Sequence, residues 1–269
     1  MGLRGFAKRY WMQRGREMSG EYPPPPEHDE ELFVNPPGAE TVARRAAILS
    51  TVVGRGLIEA DEAVQDGDAL IASDLLAYFD ELDLARDAEP EEEALIRAPY
   101  GTLPDQAVID ATWRAEGLAV LSWALGVLDE LPPIDETVDL HALAERLRLP
   151  WGSAPEVGIL SSPELRRSPA EIDALDTMLL TAHWRVRQFT HIDPKPMDYV
   201  AWVPGVEWAQ LSLEGLDVVD RDLAIGGVPI TRADGDAIST TGSILTERRI
   251  AVSWLQGYDA LYSEGDTST

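Results

Sequence analysis

The chain has no cysteine. That removes disulfides, thiolate metal sites and cysteine nucleophiles, and it suits a reducing compartment. No apolar run is long enough to cross a bilayer, so no membrane span is expected. The N-terminus lacks the apolar centre and small-residue cleavage site of a secretory signal, so the expected location is the cytoplasm. Histidine is scarce, with four in 269 residues, and neither an HExxH motif nor a paired histidine spacing occurs. A G-x-S-x-G elbow and a glycine-rich phosphate loop are also missing, so no cofactor is expected. Only two of the 22 cationic side chains are lysines, Lys8 and Lys195.

What is abundant is negative charge. The formal net charge is −26, which repels a polyphosphate backbone and argues against general nucleic-acid binding. It suits solubility, or a basic protein partner. The charge is unevenly placed: residues 1–20 carry Arg4, Lys8, Arg9, Arg14 and Arg16 against Glu17, interleaved with Phe6, Tyr10 and Trp11. Pro23 to Pro26, an acidic cluster and Pro36-Pro37 follow, which forbids helix and favours an extended linker. Residues 1–38 are therefore expected to be a basic arm and a proline-rich acidic linker, with the globular domain at 39–269. The arm suits docking on an anionic surface, or folding back on the acidic body.

The rest of the chain reads as helices. Apolar residues recur at helical spacing over Ala39 to Arg55, where Gly54 and Gly56 are expected to end the segment. Leu70, Ile71, Leu75, Tyr78, Phe79 and Leu82 predict an inward face on the next helix. Pro90 opens a short helix, and a long one is expected from Gln106 to Glu130, halted by Pro132-Pro133. Ser168-Pro169-Ala170-Glu171 is a capping box whose helix runs to about Phe189. A short helix is expected around Val206 to Leu213, and the last from about Gly242 to Gln256. The single β signal surrounds Gly226-Gly227, a two-residue hairpin pattern. The expected fold is mainly α: one helical domain with a small β-hairpin inserted before the C-terminal helix.

Two distant stretches nearly repeat. Glu116 precedes Trp123 by seven residues, Ser122 stands before the Trp, and Gly126 follows three later. Glu247, Ser253, Trp254 and Gly257 keep the same spacing. Seven residues are two helical turns, so each Glu shares a face with its Trp.

These motifs resemble the bacterial family known as domain of unknown function 4272. The resemblance rests on Trp113-Arg114-Ala115-Glu116 running into Leu121 to Gly126, on Asp176 with Trp184 to Arg187, and on Glu247-Arg248-Arg249 with Trp254 and the closing Asp266-Thr267. It spans about Ala39 to Thr267, leaves the basic arm outside, and implies no established activity.

Glu116 and Glu247 are either an acid and base pair of a hydrolase, or structural carboxylates paired with arginines, Arg114 and Arg248 among them. The structural reading is the expectation. Asp176 and His183 share a helix face, with His191 beyond, as candidate metal ligands. Tyr199, Trp202 and Trp208 lie in proline- and glycine-rich sequence, where exposed aromatics anchor interfaces. Asp217, Asp220 and Asp222 read as turn residues and solvated edge charges of the hairpin. The expected function is a non-enzymatic binding protein, toxin-neutralising or assembly-associated, that takes a basic partner; the alternative is a hydrolase using Glu116 and Glu247.

Overall fold

A computed structural model describes residues 35–60, 68–147, 158–207 and 209–265. The basic arm, most of the linker, Trp151, Trp208 and the closing Asp266-Thr267 lie outside them. Nine α-helices and a small sheet make up these residues, so the protein is mainly α. The helices are α1 (Ala39–Ala60), α2 (Asp68–Glu81), α3 (Pro90–Arg97), α4 (Asp105–Ala124), α5 (Leu140–Leu147), α6 (Gly158–Ser161), α7 (Pro169–Arg187), α8 (Tyr199–Trp202) and α9 (Gly235–Leu255).

Helix α1 is buried on nearly every face, Arg45 and Arg55 included. It packs chiefly on α4, and α4 packs on α9, which in turn packs on α7. Arg45 donates to Glu92 at 2.6 Å and Arg55 to the carbonyls of Ala98 and Pro99, so the buried guanidinium groups tie α1 to α3 and the loop behind it. Gly54 and Gly56 do not end α1, contrary to the sequence reading. A Cβ on Gly56 would stand 2.9 Å from the Ala111 Cβ. Gly56 is a close crossing point between α1 and α4.

The helix stop is elsewhere. Helix α4 ends at Ala124, with Gly126 just past its cap, rather than at the double proline, and α9 ends at Leu255, with Gly257 just past its cap. Both glycines have φ of +73°. Gly126 N donates to Trp123 O and Val127 N to Ser122 O; Gly257 N donates to Trp254 O and Tyr258 N to Ser253 O. The two phrases thus close with the same left-handed cap. Helix α9 starts seven residues before the expected Gly242, because Asp234 caps it by accepting from Asp236 N. Helix α2 meets the core through Leu75, Tyr78 and Phe79, while its first turn leaves Leu70 and Ile71 exposed.

The sheet before α9 has three strands in the order β1 (Val218–Val219), β2 (Asp222–Ile225), β3 (Val228–Pro229), all antiparallel. Gly226-Gly227 makes the expected turn, and Asp220-Arg221, with φ of 50° and 66°, makes a second one that the sequence did not announce. Asp222 is no solvated edge charge. It is buried and accepts two bonds from Arg185, at 2.7 and 2.6 Å, locking β2 to α7. The short helix expected around Val206 instead lies at Tyr199–Trp202, where the Asp198 side chain caps Ala201 N.

Beyond Gly257 the chain folds back until Tyr262 lies against Gly117 of α4. Glu89 accepts from the backbone N–H groups of Tyr262 and Ser263, holding the return. A Cβ on Gly117 would overlap the Tyr262 hydroxyl oxygen and stand 3.3 Å from its Cζ. Tyr262 is buried and its hydroxyl has no hydrogen-bond partner. Gly117→Ala is expected to lower stability by about 1–3 kcal/mol. Tyr262→Phe alone should cost little, because it removes an unsatisfied polar atom, and it should recover most of the loss when combined with Gly117→Ala. Chemical denaturation of the three variants checks this; a double variant no more stable than Gly117→Ala refutes the overlap.

Candidate functional site

The twin carboxylates have different surroundings. Glu116 is sealed in the core at 2 % exposure. Arg248 Nε and Nη2 donate to one of its oxygens at 2.9 and 2.8 Å, and Val138 N donates to the other at 2.8 Å. The same guanidinium donates to the carbonyls of Pro132 and Glu136. One arginine thus staples α9, α4 and the loop between α4 and α5.

Glu247 is paired less tightly. Arg114 Nη1 lies 3.1 Å away, and the carboxylate lines an open groove of about 580 Å³. Burial raises the Glu247 carboxyl above its usual range, with Arg114 offsetting only part of that cost. Glu116 does not reach this groove. The repeated phrase therefore brings a single carboxylate to it.

Helix α9 is the groove floor. Gly235, Ser239, Gly242, Ser243 and Thr246 recur on one face of it, and their small side chains leave the space. Asp110 and Trp113, one turn apart on α4, form one wall. His183, Val186 and Arg187 of α7 form the other, with Thr190 and His191 on the π-helical turn Gln188–Ile192 that extends it. Such turns recur at functional sites.

His183 is 3 % exposed, and Arg249 Nη1 lies 2.8 Å from its Nδ1. A guanidinium can only donate, so Nδ1 accepts and Nε2 carries the proton. Burial, with the charges of Arg249 and Arg187, pushes the His183 pKa down to about 3, so the ring is neutral.

The other expected site residues fall as follows. Tyr199 is not an interface residue: it is fully buried, and its hydroxyl donates to Thr181 O at 2.6 Å. Trp202 is half-buried and stacks on Trp184 with centroids 3.8 Å apart. Trp208 lies outside the described residues. Asp176 is buried and does not line the groove that holds His183 and His191. Among the described residues no three His, Cys, Asp or Glu side chains gather as a metal set. Asp110 and the hydroxyl stripe of α9 were not foreseen. Their signal was small polar residues at positions 235, 239, 242, 243 and 246, a helical period written in serine, threonine and glycine.

These features define a mainly α protein with a polar groove between three helices. The chain belongs to the family described as Domain of unknown function (DUF4272), whose model matches residues 12–200. That match differs in extent from the resemblance read in the sequence. It begins inside the basic arm and stops before the sheet and α9, so it includes Glu116 and His183 but not Glu247 or Arg248. No curated protein and no solved structure matches the chain. No described helix is long and apolar enough to cross a membrane.

Proposed function

We propose that this chain is a non-enzymatic, cytoplasmic binding protein whose acidic body engages a basic protein partner, such as a toxin domain or an assembly component. In this reading residues 1–38 are an arm and linker ahead of one helical domain. The observation that carries it is the state of Glu116: both of its oxygens are taken by Arg248 and Val138 in a closed core, so it cannot join Glu247 as a second catalytic carboxylate. Exposed carboxylates at Asp74, Glu81, Asp83 and Glu91 on and after α2 offer a surface for cations. Calorimetry at physiological salt against basic proteins, including those encoded beside this chain's own coding sequence, tests the reading. One partner should bind, with affinity that falls as salt rises; silence from all of them overturns it.

A hydrolase is the second reading, favoured by one fact: Glu247 lines an open groove and is held toward its protonated form. Turnover of chromogenic glycosides or esters that Glu247→Gln abolishes would establish it.

A further inference from the structure

The groove between α4, α7 and α9 has no role in docking a basic partner on the acidic surface, yet it is open and polar. Its volume of about 580 Å³ falls in the range of small-molecule sites. From Gly235 to Glu247 the floor rises roughly 18 Å along the helix axis. The space comes from missing side chains, not from poor packing. A Cβ on Gly235 would meet nothing within 4 Å, and one on Gly242 would meet only Val186, at 3.7 Å.

The proton inventory of the groove selects the ligand. Three of its hydroxyls already donate to their own helix: Thr246 to Gly242 O at 2.9 Å, Thr190 to Val186 O at 2.9 Å, and Ser243 to Ser239 O at 3.3 Å. What they offer a ligand is oxygen lone pairs. Glu247 and Asp110 add acceptors. Donors line it as well, on the Trp113 indole, the Ser239 hydroxyl and the Arg187 guanidinium, while His183 Nε2–H already faces Thr246 Oγ1 at 3.5 Å. A groove that mixes acceptors with donors suits a ligand whose own groups do both, as hydroxyls do.

The charges narrow it further. A simple anion brings no donors, and it meets Asp110 and Glu247. A polycation brings donors but meets Arg187, with Arg114 already on Glu247 and Arg249 behind His183. Side chains of both signs line the groove, so neither sign of ligand gains. Trp113 adds a large apolar side chain to one wall, a surface for the C–H face of a ring.

We propose that this groove binds a neutral, polyhydroxylated ligand, a short oligosaccharide, against Trp113. The hydroxyls of the sugar donate to Asp110, Glu247 and the threonine oxygens, and they accept from Ser239 and Arg187. The site stands whether or not a basic protein docks elsewhere.

Saturation-transfer NMR and calorimetry on the full chain test it with three probes: maltotriose, cellotriose and chitotriose. Inorganic phosphate and spermidine serve as charged comparators. At least one trisaccharide should bind, and Trp113→Ala should weaken it by roughly tenfold or more. Gly235→Trp fills the open end of the floor from a position where an added Cβ meets nothing within 4 Å. It should block binding while leaving the unfolding midpoint unchanged. Three outcomes overturn the proposal: none of the three sugars binds at roughly 10 mM, binding survives both substitutions, or only a charged comparator binds and Gly235→Trp displaces it.

Discussion

Arg248→Ala should lower the unfolding free energy by about 3–5 kcal/mol, read from urea titration. The substitution leaves the Glu116 carboxylate in a closed core without its counter-charge. It also strips hydrogen bonds from Pro132 O and Glu136 O. An uncompensated buried charge costs more than the pair contributes when intact. The combined variant Arg248→Met with Glu116→Leu should therefore be more stable than Arg248→Ala alone, though it carries two changes. Arg248→Lys should fall in between, since an ammonium cannot serve both the carboxylate and two separate carbonyls. The paired change on the groove side, Arg114→Ala, should cost far less, because Arg114 and Glu247 retain access to water. An Arg248→Ala loss below about 1 kcal/mol would falsify the staple.

Acid should weaken the fold through His183, and the sign follows from which state holds the proton. The folded ring titrates at about 3 and an unfolded histidine near 6.5. Between those values the unfolded chain binds more protons, so stability rises with pH across this window. The contribution is complete above about pH 6.5 and drains as pH falls, by about 2 kcal/mol at pH 5 and on the order of 5 kcal/mol by pH 3. Carboxylates also titrate at the lower end, so the window from pH 7 to 5 is the clean one. His183→Gln should flatten the stability profile there by about 2 kcal/mol relative to the parent. The remaining histidines are common to both proteins and cancel in the difference. Parallel profiles for the two proteins would mean that His183 titrates normally in the folded state.

Helix starts were legible because their chemistry is local. Ser168 and Glu171 spell a reciprocal cap, and both of its bonds are present. Helix ends were not, because the same residue type serves two purposes. Gly56 sits where another helix crosses and Gly126 where the backbone turns left-handed; only the neighbour across the interface distinguishes them. Tyr199 shows the same limit. Prolines and glycines around it suggested an exposed loop, yet Asp198 starts a helical turn that points the ring inward to Thr181. The arginine partners of Glu116 and Glu247 were readable as types, since buried carboxylates need guanidinium. Which arginine met which was a matter of helix packing. The groove leaves no mark in apolar periodicity, because its floor is periodic in small polar residues.

The staple also bears on synthesis. Glu116 and Arg248 are 132 positions apart, so at ribosomal speeds the carboxylate waits roughly 7–26 s for its cation to be made. Throughout that interval the emerging chain holds a naked acid at the centre of an interior it cannot yet seal. The nascent protein must keep this region hydrated, or guarded by a chaperone, until the ninth helix arrives.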